Sequence, residues 1–183
     1  MRIGITFGCF IPLHKGHLSL IDKSLEENDI TIIAVCGKSN DRGQNFIPFD
    51  CRVELVRNKY LNLENKVIVV KIDDNALGLD GTFTLDNWKV WCNEILRQTN
   101  EVLALTNKPV IDFNKNTVTW YTGEASYKEK IGAIYPNHNI FLADRNEINL
   151  SGTMIRENPD LFAEYIDPIF VDYLVKHDLM HRR

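Results

Sequence analysis

The chain contains 183 residues, of which 44% are hydrophobic and 25% are charged. These proportions are typical of a soluble globular domain and exclude a disordered, collagen-like or membrane-spanning chain. The formal net charge of −4 argues against a basic surface that binds nucleic acid without sequence preference. We therefore predict one domain over residues 1–183, with neither nucleic acid nor a membrane as its partner.

The cysteines and the amino terminus favour a cytoplasmic protein. The four cysteines form no C-x-x-C pair, so they match neither a zinc framework nor a small disulfide scaffold. The first ten residues are apolar but interrupted by glycines, unlike the apolar region of a signal peptide. No apolar run is as long as the roughly 18 residues that a membrane span needs.

Short apolar runs rich in β-branched residues recur along the chain, separated mostly by amphipathic stretches of helical length. The predicted strands are Arg2–Phe7, Ile30–Cys36, Val67–Ile72, Thr117–Tyr121 and Asn139–Ala143. Continuous apolar strands that alternate with helices indicate a parallel sheet covered on both faces. The predicted fold class is therefore α/β, with a doubly wound, mostly parallel five-stranded sheet, helices on both faces and a helical C-terminus.

Other local features are predicted less directly. Asp50 is placed to cap the helix that follows the second strand, and a third helix is predicted around Leu85–Gln98. Val110–Phe113 and Thr117–Trp120 could form a β-hairpin around the intervening Asn-Lys-Asn. The C-terminal part, from Thr153 to about His177, is predicted to be helical, with a break near Asp167-Pro168.

The segment Gly8–His17 joins the first predicted strand to the first helix. Ligands of open parallel sheets bind at the carboxyl ends of the strands, where this segment lies. Gly8 allows a backbone conformation that most residues avoid, and Gly16 allows close approach to a ligand. His14 and His17 stand beside a helix N-terminus, whose N–H groups favour a phosphate. A surface loop that happens to hold two histidines would explain that pair equally well.

The segment Leu150–Arg156 follows the last predicted strand and opens another helix. Ser151 can cap this helix, and Thr153 offers a hydroxyl group. Arg156 offers a planar guanidinium, which is suited to bidentate contact with phosphate. Taken alone, the segment is explained better as a capped helix with a solvated arginine.

Together the two segments resemble the nucleotidylyltransferase superfamily, which implies a Rossmann-like fold. Gly8–His17 matches G-x-F-x-P-x-H-x-G-H at every fixed position, and Leu150–Arg156 is similar to I-S-G-T-x-I-R with Leu150 in place of isoleucine. Further segments resemble the NadR type of nicotinamide-mononucleotide adenylyltransferase: Asn40–Gly43, Trp88–Trp91, Tyr121–Glu124 and Asp144-Arg145. That type usually carries a ribosylnicotinamide kinase as well. The sequence contains no G-x-x-x-x-G-K-[ST] phosphate loop, so we predict no kinase activity.

The resemblance implies transfer of AMP from ATP to nicotinamide mononucleotide (NMN), giving NAD⁺ and pyrophosphate. The 5′-phosphate of NMN attacks the α-phosphorus of ATP in line. This nucleophile is already an anion, so the protein has to position two polyanions and neutralise their charge. The implied catalytic residues are His17, His14, Arg156 and Thr153. Mg²⁺ is expected to arrive with ATP, held by phosphate oxygens rather than by a protein metal site.

The resemblance also suggests which residues contact each substrate. The residues expected to bind ATP and its phosphates are Gly8, Phe10, Lys15, Gly16, Gly123, Glu124 and Ser151. The residues expected to bind NMN are Trp88, Trp91, Asp41 and Arg42, with the cationic nicotinamide on a tryptophan face. Each has a plainer alternative: core aromatics for the tryptophans, a simple turn for Asp41 and Arg42, and a solvated side chain for Lys15.

Two other functions stay open at this point. A related adenylyltransferase could act on another phosphate monoester, such as phosphopantetheine. A catalytically silent sensor of NAD or ATP could use the same fold, although such a sensor is expected to have lost a phosphate contact. The sequence also leaves open the preference between NMN and its deaminated form, nicotinate mononucleotide. Superfamily members often form homo-oligomers, but no apolar face in this sequence indicates an interface.

Overall fold

The computed structural model describes residues 1–38, 46–79, 82, 84–144 and 151–181. The strands are β1 (Arg2–Gly8), β2 (Ile30–Gly37), β3 (Val67–Asp73), β4 (Thr117–Thr122) and β5 (Asn139–Leu142). They form one sheet in the order β3-β2-β1-β4-β5, and every pairing is parallel. The predicted α/β class, the five strands and their parallel arrangement are confirmed.

Helices cover both faces of this sheet. The α-helices of the described ranges are α1 (Lys15–Glu27), α2 (Phe49–Lys59), α3 (Leu85–Leu105), α4 (Ala125–Ile134), α5 (Gly152–Glu157) and α6 (Pro168–Lys176). Short 3₁₀ turns lie at Leu61–Leu63 and Ala163–Tyr165. The predicted C-terminal helical region and its break near Asp167-Pro168 are confirmed, since α6 is separate from α5 and begins at Pro168 with Asp167 as its N-cap. None of the helices in the described part of the chain is long and apolar enough to span a membrane.

Successive strand residues point to opposite faces, and β2 shows how both faces are filled. Ile32 and Ala34 pack on one face, against α3 and α4, whereas Ile33 and Val35 pack on the other, against α1, α2, α5 and α6. We call these the α3 face and the α1 face. A parallel strand buried on both faces has no polar alternation, which explains the continuous apolar runs in the sequence.

Gly4 brings α1 close to the sheet. A Cβ atom at this position would collide with the Oγ atom of Ser24, which itself lies 2.9 Å from the Oγ1 atom of Thr31 on β2. Since α1 begins at the end of the Gly8–His17 segment, this close packing also sets where that segment stands.

The predicted hairpin at Val110–Phe113 is wrong. Thr117–Thr122 pairs in parallel with β1, and residues 106–116 form turns and irregular backbone. The side chain of Asn100 explains why no partner strand is needed: its Oδ1 atom accepts from the amide of Ile111, and its Nδ2 atom donates to the carbonyl of the same residue.

Two helix predictions also need correction. Asp50 does not cap α2, which begins at Phe49 after Pro48 without a side-chain cap. Asp50 lies in the first turn instead, 2.6 Å from the Nζ atom of Lys71. The third helix is longer than Leu85–Gln98 because buried positions continue to Leu103.

Candidate functional site

A cavity of about 530 Å³ lies at the carboxyl ends of β1 and β4, on the side where the Gly8–His17 segment leaves the sheet. The strand order reverses between these two neighbours, and open α/β sheets bind their ligands at such a point. Pockets for small molecules typically have volumes of about 300–1,000 Å³. The predicted site residues that line the cavity are Gly8, Phe10, His14, Gly16, His17, Gly123, Glu124, Ser151, Thr153 and Arg156.

His14 is the residue that turns the loop into α1. It is the N-cap, and its Nδ1 atom accepts a hydrogen bond from the amide of Gly16 at 3.2 Å. A neutral imidazole that accepts at Nδ1 carries its proton on Nε2, so that atom is a donor. A Cβ atom at position 16 would lie 3.1 Å from the His14 ring, so glycine is the residue that fits here.

His17 lies one helical turn further on, and its ring centroid is 3.9 Å from that of His14. The ring of Phe10 packs edge-on against that of His17, with the centroids 5.0 Å apart. Phe10 is buried and has a positive φ of 47°. A Cβ atom at Gly8 would come within 3.1 Å of the same ring. Phe10 and Gly8 therefore shape the loop that presents the two histidines.

The start of α5 forms a second wall of the cavity, packed against the loop at Ile11. Ser151 caps this helix as predicted, since its hydroxyl accepts from the amide of Met154 at 3.2 Å. Arg156 joins the two walls: its Nη1 atom donates to the carbonyl of Ile11 at 2.9 Å, and its Nη2 atom donates to the Thr153 hydroxyl at 3.0 Å. Residues from the two ends of the sequence thus form one donor-rich surface.

Two basic residues that the sequence analysis did not identify belong to this region. Lys23 lines the cavity, 2.6 Å from a carboxylate oxygen of Glu27 and 5.0 Å from the ring centroid of Phe141. The hydrogen bond from Lys23, together with one from the hydroxyl of Tyr121, lowers the pKa of Glu27. The i,i+4 spacing of Lys23 and Glu27 was visible in the sequence, but their proximity to β5 was not.

Arg52 is the second of these residues. It is fully buried on the α1 face, its guanidinium stands 4.9 Å from the ring centroid of Phe49, and its Nη1 atom donates to the carbonyl of Cys9 at 2.9 Å. A buried arginine bound to a loop carbonyl holds that loop in place. The only signal in the sequence was a cation beside the apolar positions Val53 and Val56 of α2.

Some predicted site residues do not line the cavity. Lys15 points away from it, with its Nζ atom 4.8 Å from the ring centroid of Tyr165. Trp88 and Trp91 are 7% and 9% exposed and belong to the α3-face core. Both touch Phe7, which does line the cavity. Their environment is that of core aromatics, and their stacking on NMN stays a prediction.

The described residues test neither the predicted NMN contacts of Asp41 and Arg42 nor the predicted Mg²⁺. Asp41 and Arg42 lie outside the described residues. Among those that are described, no group of three His, Cys, Asp or Glu side chains is placed to hold a metal ion. Glu124 and Asp144 are carboxylates that line the cavity. Mg²⁺ held by the phosphates of ATP remains a prediction.

Known proteins resemble this chain over most of its length. A family model described as cytidylyltransferase-like matches residues 5–158. A NadR protein, solved in complex with NAD and AMP-PNP, shares 33% identity and a TM-score of 0.69, over 92% of this chain and 45% of that one. The chain therefore spans under half of the NadR protein that it matches.

Two curated relatives are matched over most of their own length. A probable nicotinate-nucleotide adenylyltransferase of Fusobacterium nucleatum is 28% identical over 178 residues, which cover 85% of this chain and 86% of the relative. A phosphopantetheine adenylyltransferase of Mycoplasma capricolum is 26% identical over 159 residues, covering 86% of this chain and 96% of the relative.

Proposed function

The chain belongs to the cytidylyltransferase-like family, and we propose that it transfers AMP from ATP to NMN, forming NAD⁺ and pyrophosphate. One observation carries this proposal: His14, His17, Thr153 and Arg156, from opposite ends of the sequence, surround one cavity at the carboxyl ends of β1 and β4. All four side chains can donate hydrogen bonds, as a site for polyanions requires.

The proposed chemistry needs no protein nucleophile, because the 5′-phosphate of the acceptor attacks the α-phosphorus of ATP directly. The protein's task is to hold both phosphates in line and to stabilise the charge that moves to the leaving pyrophosphate. His14 donates from Nε2, and His17, one turn later, donates to the α-phosphate. The guanidinium of Arg156 and the N-terminus of α1 complete the anion site.

The other end of the cavity is suited to the adenosine part of ATP. Gly123 and Glu124 follow β4 and line the cavity, and the amide of Glu124 donates to the Thr122 hydroxyl at 3.1 Å. This bond holds the turn after β4. Mg²⁺ enters with ATP as part of the substrate, and its ligands are phosphate oxygens and water.

NMN is the proposed acceptor because a NadR protein is 33% identical over 92% of this chain, whereas the phosphopantetheine adenylyltransferase of Mycoplasma capricolum is 26% identical over 86% of it. Two other acceptors follow from the curated relatives: nicotinate mononucleotide and phosphopantetheine. All three are phosphate monoesters, so the anion site described above would serve each of them. We further propose that the protein acts in the cytoplasm; a homo-oligomer stays a prediction.

An acceptor panel tests the substrate. Purified protein is incubated with MgATP and, separately, with NMN, nicotinate mononucleotide or phosphopantetheine, and pyrophosphate release is followed together with the adenylylated product. We expect the highest kcat/KM with NMN. A higher value with either of the other acceptors would reassign the substrate but keep the reaction. Nucleotide binding without pyrophosphate release from any acceptor would favour the silent sensor.

Substitution of His17 tests the catalytic assignment. His17→Ala is expected to lower turnover about 10²- to 10³-fold, the usual cost of removing one donor to a developing charge. His177→Ala is the matched control because His177 is an exposed histidine at the end of α6, away from the cavity. Equal pyrophosphate release by the wild type and His17→Ala would refute the assigned role.

A further inference from the structure

We propose that Asp167 is a positioning residue for His14, and that its ion pair with Lys59 controls turnover from the C-terminal end of the chain. The inference rests on the proposed function, in which His14 contacts a transferring phosphate. Asp167 does not line the cavity, so it acts through the loop rather than on the substrate.

The backbone before α6 pairs with the loop that carries His14. Ile166 and His14 form an antiparallel bridge, and the amide of Asp167 donates to the carbonyl of Leu13 at 3.0 Å. On its other side, the carbonyl of His14 accepts from the amides of His17 and Leu18 at the start of α1. The position of His14 is therefore set jointly by α1 and by the segment Ile166-Asp167.

The side chain of Asp167 fixes that segment. Its Oδ1 atom accepts from the amide of Ile169 at 3.1 Å and so caps α6. Its Oδ2 atom lies 2.7 Å from the Nζ atom of Lys59, at the end of α2. Asp167 is only 3% exposed. The Lys59 side chain is 27% exposed, so the buried member of the pair is the carboxylate, and loss of Lys59 would leave that buried charge uncompensated.

Lys59 also interacts with groups other than Asp167. Asp22 of α1 is close enough to interact electrostatically with both Lys59 and Asp167, and partial burial raises the pKa of Asp22. The centroid of the Tyr60 ring lies 5.3 Å from the Nζ atom of Lys59, and burial raises the pKa of the Tyr60 hydroxyl as well. Lys59 therefore interacts with two carboxyl groups, and without it the charges of Asp167 and Asp22 would repel each other uncompensated.

The attachment of α6 itself does not depend on this pair. Phe170 and Leu174 are fully buried in the α1-face core and hold the helix by apolar contact. Loss of the ion pair is therefore expected to leave α6 docked and to shift Ile166-Asp167 relative to the loop. A misplacement of about 1 Å at a reacting group can cost roughly 10²-fold in rate, so a small shift matters.

The test separates positioning from stability. Asp167→Asn keeps an oxygen that can cap α6 and removes the charge, and Lys59→Met removes the other half of the pair. We expect each to lower kcat by about tenfold or more with a change in the KM for ATP of under about threefold, since the displaced group stabilises the transition state. Lys59→Arg keeps the charge and is expected to restore most of the turnover.

A second readout does not depend on the reaction. In substrate-free protein with ¹⁵N-labelled histidine, the ring signals of His14 in the wild type are expected to show the Nε2–H tautomer, and both variants are expected to change them. Asp29→Asn is the matched control because Asp29 pairs with Arg2 on the exposed surface at the amino end of the sheet. Its His14 signals and turnover should match those of the wild type.

Each outcome either supports or refutes the positioning role of Asp167. If Asp167→Asn and Lys59→Met lower only the melting temperature, with kcat and the His14 signals unchanged, the residue is structural and the proposal is wrong. If Asp167→Asn fails to fold, the result for Lys59→Met decides. If the wild type adenylylates none of the acceptors, the proposed function fails, and the His14 signals still test the positioning.

Discussion

The two faces of the sheet are filled in different ways. The α3 face holds all three tryptophans of the chain, Trp88, Trp91 and Trp120, within one apolar core. The α1 face is more aliphatic, and it holds both Arg52 and Asp167, which are the buried charged side chains of the described ranges. The side chain of Arg52 and the backbone amide of Asp167 each donate a hydrogen bond to the loop Gly8–His17.

This difference follows from what each face has to hold in place. The loop lies against the α1 face, and its backbone groups have no strand beside them to complete a ladder of hydrogen bonds. Backbone groups of such a loop need partners from elsewhere in the fold. The Arg52 guanidinium supplies one for the carbonyl of Cys9, and the backbone amide of Asp167 supplies one for the carbonyl of Leu13. The α3 face packs helices against regular strands whose backbone is already satisfied, so shape-filling rings are sufficient there. Substitutions on the α3 face should therefore lower mainly the stability of the protein, whereas substitutions on the α1 face should also lower its turnover.

The largest expected effect on stability is on the α3 face. Trp120 is fully buried in β4 and donates from Nε1 to the Nδ1 atom of His138 at 2.9 Å. Trp120→Ala is expected to lower the free energy of unfolding by about 3–5 kcal/mol, because it leaves a cavity and removes this bond. Urea unfolding measures the loss. Turnover at low temperature, per folded molecule, is expected to stay near the wild-type value, and a fall as large as that of His17→Ala would break the comparison.

The α1 face should respond in the opposite way. Arg52→Met keeps much of the volume but removes the donor to the Cys9 carbonyl. We expect a loss of stability of about 1.5–3 kcal/mol, the usual net contribution of a hydrogen bond from a charged group. We also expect turnover to fall about tenfold or more, because the loop that presents the histidines loosens. Arg57→Met, on the exposed side of α2, is the control and should change neither quantity. If Arg52→Met keeps the wild-type turnover, the position of the loop does not depend on Arg52.

The smallest effect is a dependence of stability on pH that arises on the α3 face. Burial lowers the pKa of His138 below its ordinary value of 6.5. Its Nδ1 atom accepts from Trp120, so Nε2 donates to the carbonyl of Phe113 at 2.7 Å. The unfolded chain therefore takes up a proton at this residue before the folded protein does. As the pH falls from about 6.5 toward the lowered pKa, the contribution of His138 to stability is lost.

Urea unfolding between pH 7.5 and pH 5 measures this dependence. His138→Gln is the comparison variant, since an amide can also accept from Trp120 and donate to Phe113 without titrating. The wild type should lose stability more steeply than His138→Gln as the pH falls. Identical slopes would mean that protonation of His138 costs nothing in the folded protein.

Much of the fold could be predicted because its signals are local. Continuous β-branched runs such as Ile30–Cys36 indicate parallel strands buried on both faces, and the ends of β2 and β3 differ from prediction by a single residue. The motifs in Gly8–His17 and Leu150–Arg156 were equally local, because glycine, histidine or serine at a fixed distance from a strand end indicates a turn into a helix. The failed hairpin at Val110–Phe113 shows the limit, because a side chain from another element, Asn100, replaced the missing strand.

The sequence by itself determined the strands and the helices on both faces of the sheet. It also indicated that the loop from Gly8 to His17 and the segment with Thr153 and Arg156 form one site. Only the tertiary structure decided what those loop residues rest on. Periodicity states that Arg52, Trp88 or Asp167 lies on a given face of its helix or at its end, but not what stands opposite. Arg52 reaches Cys9, Trp88 packs on Phe7, and Asp167 meets Lys59 and the loop before His14. These contacts join residues distant in sequence, so no local pattern of residue types contains them.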